Sequence, residues 1–328
     1  MIDRRLPLVV SLACALLVAP LGGAGQQPKQ VRIGYLSGNP PADTQDAIDA
    51  FRTKLRALGY IEGQNLLIES RYAEGRYEQL PQLAAELVQL SVDVIFVYST
   101  PGTLAAKYAT STIPIVFAGV SDPLIAGLVA TLPRPDGNVT GVTLINPELS
   151  AKRLSLLKEA VPAASRVAVL ANPNFPASSS MVAETRHEAQ ALGVEIQVLE
   201  VREPQEFAKA FETMTAAKAH AVVVLPDPMF VAQRRQIVEL AASSRLPAMY
   251  HLRQFVEAGG LIFYGADYVE AFQQAAELVD KILKGRKPAD LPVEQPWRFS
   301  LAINLKTVKA LGLTIPPALL FQADEVIK

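Results

Sequence analysis

Short apolar runs with no helical period alternate along the chain with segments whose apolar residues recur every three or four positions. Val31 to Leu36 reads as a strand ending in the polar turn Ser37-Gly38-Asn39-Pro40-Pro41. Ile48, Phe51, Leu55 and Leu58 then mark one face of a helix that Gly59 closes. Leu66 to Arg71 predicts a second strand, and Tyr77 to Leu90 a helix with Leu80, Leu83, Leu87 and Leu90 as its apolar stripe. Asp93 to Tyr98 is a third strand, broken at Ser99-Thr100-Pro101-Gly102-Thr103. There Thr100 as N-cap and Pro101 at the first helical position start another helix. The free backbone N–H groups beyond them, with the Thr103 hydroxyl, suit an anion such as a carboxylate.

The same plan then recurs. Arg166 to Leu170 is a strand ending in Ala171-Asn172-Pro173-Asn174, and the helix from Ser180 closes with Leu192-Gly193 as the first closed with Leu58-Gly59. Glu195 to Val201, a helix over Pro204 to Ala217, and the buried strand Ala221 to Leu225 follow, the last ending in Pro226-Asp227-Pro228. Each half continues alike, with Ile113 to Ala118 running into Ser121-Asp122-Pro123 and Leu246 to Tyr250 into His251. Alternating strands and helices imply parallel sheets with right-handed crossovers, whose ligands sit beyond the carboxyl ends of the strands. That edge collects Ser37, Asn39, Ser99, Thr100, Gly102, Thr103, Ser121 and Asp122 from one half. The other half contributes Asn172, Asn174, Asp227 and Tyr250, with Tyr264 and Asp267 at the end of the next strand as further candidate contacts.

The expected fold is therefore α/β, with two Rossmann-like lobes joined by a three-segment hinge and a cleft between the facing loops. Gly141 to Pro147 reads as an extended first crossing. A strand from Leu261 to Gly265, a helix from Val269 to Leu283 and the Pro-rich stretch Pro288 to Pro296 allow a return to the first lobe and back. The expected division is residues 26–143 with 266–294 in the first lobe, and 144–265 with 295–328 in the second.

Residues 1–25 have the pattern of a cleaved secretory signal: Arg4 and Arg5, an apolar run from Leu6 to Leu21, then Gly22, Gly23, Ala24 and Gly25. The run is shorter than the ~20 residues a spanning helix needs. The expected location is the periplasm. Cys14, the only cysteine, lies inside this run with Ser11 three residues ahead, which does not match a lipid-attachment site. The mature chain is thus free of thiol chemistry. A net charge of −1 gives no sign of nucleic acid or an anionic membrane as partner.

Catalytic apparatus is missing from the pattern: there is no phosphate-binding Gly-rich loop, no Gly-x-Ser-x-Gly turn, and no His or Cys spacing of the zinc type. No enzyme activity and no cofactor or metal are expected. His187 and His220 read as solvated residues, whereas His251 at a strand end is a candidate ligand contact. Asp122 and Asp227 are equally readable as helix caps, and Tyr35, Tyr98, Phe117 and Tyr264 as core.

Specific motifs carry a family resemblance: Leu58-Gly59-Tyr60-Ile61-Glu62-Gly63-Gln64-Asn65, Tyr72-Ala73-Glu74-Gly75-Arg76-Tyr77, Arg134-Pro135-Asp136-Gly137-Asn138-Val139-Thr140-Gly141, Leu225-Pro226-Asp227-Pro228 and Ile303-Asn304-Leu305-Lys306-Thr307. Across Val31 to about Ile327 the chain resembles the tryptophan/tyrosine-type substrate-binding proteins of ABC importers, which have the type I periplasmic binding protein fold. The resemblance implies a monomeric receptor that closes on a small solute and delivers it to an inner-membrane permease. It also implies a carboxylate held by Ser99, Thr100, Gly102 and Thr103, and an ammonium group taken by Asp122 or Asp227. One departure is Ala171, which stands where many members carry an aromatic residue and argues against an aromatic substrate. The alternatives are a ligand sensor feeding a membrane receptor, and a sugar- or nucleoside-type solute served by Asn172, Asn174 and Asp227.

Overall fold

The computed structural model describes residues 30–328; the expected signal segment and Cys14 lie outside the described residues. The chain begins with β1 (Val31–Ser37), α1 (Pro41–Ala57), β2 (Leu66–Tyr72), α2 (Leu80–Gln89), β3 (Val94–Tyr98), α3 (Thr100–Ala109), β4 (Ile115–Val120) and β5 (Val139–Thr143). It goes on through α4 (Asn146–Ala160), β6 (Arg166–Ala171), α5 (Ser178–Leu192), β7 (Glu195–Glu200), α6 (Phe207–Ala216), β8 (Ala221–Val224), α7 (Pro228–Ala232), α8 (Arg234–Ser243) and β9 (Ala248–Tyr250). It closes with α9 (Arg253–Glu257), β10 (Ile262–Ala266), α10 (Tyr268–Leu283), β11 (Phe299–Asn304), α11 (Leu305–Leu311), α12 (Pro317–Gln322) and β12 (Glu325–Ile327).

Two sheets result. The first has the order β2-β1-β3-β4-β5, and the second, β12-β11-β10-β9-β8-β6-β7, contains the same order again as β7-β6-β8-β9-β10. The central strands are apolar throughout because helices cover both faces. In β3 every residue of Val-Ile-Phe-Val-Tyr is buried, Phe96 stacking on Phe51 at 4.2 Å and meeting Phe272 edge-on at 5.0 Å. Gly59 and Gly193 both end their helices at positive φ, +96° and +64°, a conformation that suits glycine and explains the repeated Leu-Gly stop.

The chain passes between the sheets three times, at residues 144–145, at Asp267 and at residues 295–298. Gly141 to Thr143, expected in the first crossing, instead belongs to β5, paired with β4 and, through Val142, with Glu294. The crossing itself is confined to Leu144 and Ile145, and Ile145 holds a left-handed φ of +47°, uncommon for a β-branched residue. Helix α10 packs on the first sheet, where Phe272, Ala275, Ala276 and Val279 share a core with Ile33, Phe96 and Val116. Strand β10 stays in the second sheet. The second sheet departs from the all-parallel expectation because β11 pairs antiparallel with β10. The detour through α10 brings the chain back from the first lobe and so reverses its direction.

In each sheet the strand order reverses beside the first strand of its repeat, after β1 and β3 in one lobe and after β6 and β8 in the other. Such switch points open a crevice at the strands' carboxyl ends. Here the two crevices face each other.

Candidate functional site

The lobes meet over a small, partly open chamber. It is lined by Asn39, Tyr98, Ser99, Thr100, Gly119 and Ser121 of the first lobe, Asn146 at the crossing, Phe175, Asp227, His251 and Leu252 of the second, and Tyr268 at the start of α10. Its volume is about 30 Å³, an order of magnitude below the ~300–1,000 Å³ of a ligand pocket. A wider groove of about 780 Å³ adjoins it, lined by the N-terminal end of α1, by Arg234, Arg253, Gln254 and Glu257, and by Asp267. Tyr98, Leu252 and Tyr268 border both spaces. The rings of Tyr98 and Tyr268 meet edge-on at 5.5 Å.

Polar contacts fasten the lobes together. The Tyr77 hydroxyl donates to Asp227 Oδ2, which also accepts from Asn172 Nδ2 at 3.0 Å. Asp227 Oδ1 caps α7 by accepting from Phe230 N at 3.1 Å. Burial pushes the Asp227 carboxyl up to about 6, against the opposing hydrogen bonds, and burial beside that carboxylate holds the Tyr77 hydroxyl far above its ordinary range. Farther out, Arg234 pairs with Asp43 at 2.6 Å, and Gln254 Nε2 donates to the Asp43 carbonyl at 3.3 Å. Burial raises the Asp43 carboxyl despite Arg234. The backbones also come close: a side chain at Gly75 would sit 3.4 Å from Met229 Cα, and one at Gly38 3.7 Å from Pro228 Cβ.

Asn39, Ser99, Thr100, Ser121 and Asp227 of the expected contacts line the chamber, and Asp267 lines the groove while capping α10 through Val269 N. The start of α3 differs from expectation. Its N-cap is Ser99, whose Oγ accepts from Gly102 N, while Thr103 Oγ1 turns inward to the Ser99 carbonyl at 2.8 Å. Thr100 Oγ1 accepts from Ser121 N. Two of the donors expected to hold an anion, Gly102 N and the Thr103 hydroxyl, are therefore taken up within the first lobe, whereas the Ser99 and Thr100 hydroxyls act there as acceptors.

Other candidates are committed to local structure. Ser37 Oγ is bonded to the Asn39 backbone, and Asp122 Oδ1 accepts from Leu124 N and Ile125 N, both at 2.9 Å. Asn172 holds Asp227, and exposed Asn174 donates its N–H to Asn172 Oδ1. Tyr250 is fully buried and stacks on Phe255 at 4.7 Å; Tyr264 stacks on Phe299. His187 and His220 are exposed. His251 is buried and lines the chamber, and burial and then the nearby Arg153 charge keep its ring well below the usual range, hence neutral.

Arg153, Tyr77, Phe175 and Tyr268 were not singled out from the sequence as site residues. Arg153 carried a signal: Asn146, Ser150, Arg153, Leu154 and Leu157 fall on one helical face, so an arginine occupies an otherwise buried stripe. Phe175 stands four residues after Ala171 and supplies the chamber with an aromatic side chain from the same loop.

Two α/β lobes of repeated strand order, three crossings and a polar, aromatic-lined chamber between facing strand ends define a two-lobed solute-binding protein. The chain belongs to the ABC transporter substrate binding protein family, whose family model matches residues 41–327. It is 29% identical over 289 residues to a tyrosine-binding protein of Clostridioides difficile (strain R20291), covering 88% of this chain and 82% of that protein. It superposes with a TM-score of 0.86 and 28% identity on a Streptococcus pneumonia ABC domain in complex with L-Trp, covering 91% of this chain and 100% of that one. Against a ligand-free, open substrate binding protein of Clostridium difficile the TM-score is 0.67 at 26% identity, covering 91% and 99%. The lower score at similar identity matches the closed arrangement of the lobes seen here.

Proposed function

We propose that this protein is the exported receptor of an ABC importer, and that it encloses an aromatic amino acid or a close relative between its lobes for delivery to a permease. The observation that carries this reading is the chamber: Tyr98, Tyr268 and Phe175 offer ring faces and edges, and Asp227 and His251 supply polar contacts beside them. Aromatic pairs favour such edge and offset contacts. The relatives named above, one a tyrosine-binding protein and one seen with L-Trp, support the same solute class. Phe175 offsets the loss of an aromatic at Ala171, which lies buried in the second-lobe core.

With about 30 Å³ between the closed lobes, the solute binds only as the lobes part and re-form around it. A solute that touches both lobes favours closure by the affinity it gains there.

Thermal unfolding of the mature chain against L-tryptophan, L-tyrosine, L-phenylalanine, aliphatic amino acids, sugars and nucleosides tests the reading. A bound ligand at about 100 times its dissociation constant adds ~2.7 kcal/mol, a shift of several degrees. The expected result is a shift with the aromatic amino acids alone. A shift confined to sugars or nucleosides would overturn it.

A further inference from the structure

Arg153 is almost completely buried, and it has no acidic partner among the described residues. Its Nε donates to the Tyr264 carbonyl at 2.8 Å and its Nη2 to Asn146 Oδ1 at 3.1 Å, which fixes the guanidinium. Nη1 has no partner. Asn146 in turn donates from Nδ2 to Ser121 Oγ at 2.9 Å. Both Asn146 and Ser121 line the chamber, so Arg153 stands one hydrogen bond behind its wall. Burial lowers its proton affinity to about 10, still far above neutrality, so the cation persists.

His251 lies close enough for the Arg153 charge to act on its ring, and its buried Nδ1 is equally unpartnered. A neutral imidazole has one donor and one acceptor nitrogen, so Nδ1 is able to accept. One orphan donor on a cation and one orphan acceptor thus sit together on the second-lobe side. A buried charge without a counter-charge is costly, and a fixed guanidinium matches a carboxylate in shape and charge.

We propose that Arg153, oriented by Asn146 and Tyr264, receives the carboxylate of the solute, with His251 Nδ1 accepting from its ammonium group. This rests on the amino-acid reading above and moves the carboxylate from the first-lobe helix, whose Gly102 N and Thr103 hydroxyl are already bonded, to the second lobe.

The test compares L-tyrosine with tyramine, which keeps the ring and the amine but lacks the carboxylate, by calorimetry on wild type, Arg153→Met and Arg153→Lys. Wild type is expected to prefer L-tyrosine. Arg153→Met should weaken L-tyrosine more than about tenfold and leave tyramine within about threefold, since charge-assisted hydrogen bonds are lost only by the carboxylate. Arg153→Lys keeps the charge without the fork and should recover part of the preference. Equal weakening of both compounds would mean a structural role and overturn the proposal, as would unchanged L-tyrosine binding in Arg153→Met. If wild type binds tyramine but not L-tyrosine, the carboxylate site is wrong while the chamber stands. If wild type responds to no aromatic amino acid and to no simple aromatic carboxylate such as benzoate, the proposal falls together with the reading beneath it.

Discussion

Replacing Asp227 by alanine is expected to weaken the solute more than about tenfold and to destabilise the fold by an amount that depends on pH. The carboxylate holds Tyr77 of the other lobe, Asn172 and the first turn of α7. Its removal leaves those donors buried without an acceptor, at about 1–3 kcal/mol each. Closing also loses its central polar contact. Because burial raises Asp227 to about 6, above its unfolded value of 3.8, the native state binds its proton more tightly than the unfolded state. The stabilising contribution of that proton is fully present below about pH 4 and is lost as pH rises through about 6. About two pKa units correspond to ~3 kcal/mol. Asp227→Ala should therefore cost about 3 kcal/mol more at pH 4 than at pH 7. Urea unfolding at both values measures it, and a cost independent of pH would contradict the assigned burial.

The second large effect is expected at Gly119. A Cβ there would lie 2.2 Å from Tyr98 Cε2 and 2.5 Å from Cδ2, and the residue holds a φ of +76°. Left-handed backbone costs an alanine about 1–2 kcal/mol by itself. The clash adds to this because Tyr98 cannot retreat: Tyr268 lies at 5.5 Å and Phe272 at 5.3 Å. Gly119→Ala should cost about 3–4 kcal/mol and displace the ring that walls the chamber, with loss of solute binding. Gly127→Ala is the control, since Gly127 has a φ of +65° but open space around it. It should cost only the backbone strain and leave binding intact. Equal effects of the two substitutions would show that the Tyr98 contact is not required.

The repeated architecture was legible because its determinants are local. Apolar runs of strand length, leucine stripes and the two Leu-Gly stops appear in order in both halves, and burial on two faces explains why those strands lack alternation. Asn39, Ser99, Thr100, Ser121 and Asp227 could be placed at the cleft because strand ends are where such sheets expose loops. Direction and partner were not legible. Thr103 looked like an outward donor, yet its hydroxyl closes on the Ser99 carbonyl one turn back, a choice made by helix geometry rather than residue type. Tyr77 read as part of a helix, but its partner Asp227 is 150 residues away, beyond any periodic signal. Arg153 was hidden among Lys152 and Lys158 in a charged helix. What sets it apart is its place on the buried stripe with Asn146 and Leu157.

Closure of the lobes around an aromatic amino acid has a direct signature in solution. Small-angle X-ray scattering of the mature chain with and without saturating L-tryptophan or L-tyrosine tests it most directly. The free protein is expected to be more extended, and either amino acid to contract it to the radius of gyration of the closed structure. A scattering profile unchanged by both, at concentrations where binding is demonstrated, would contradict it.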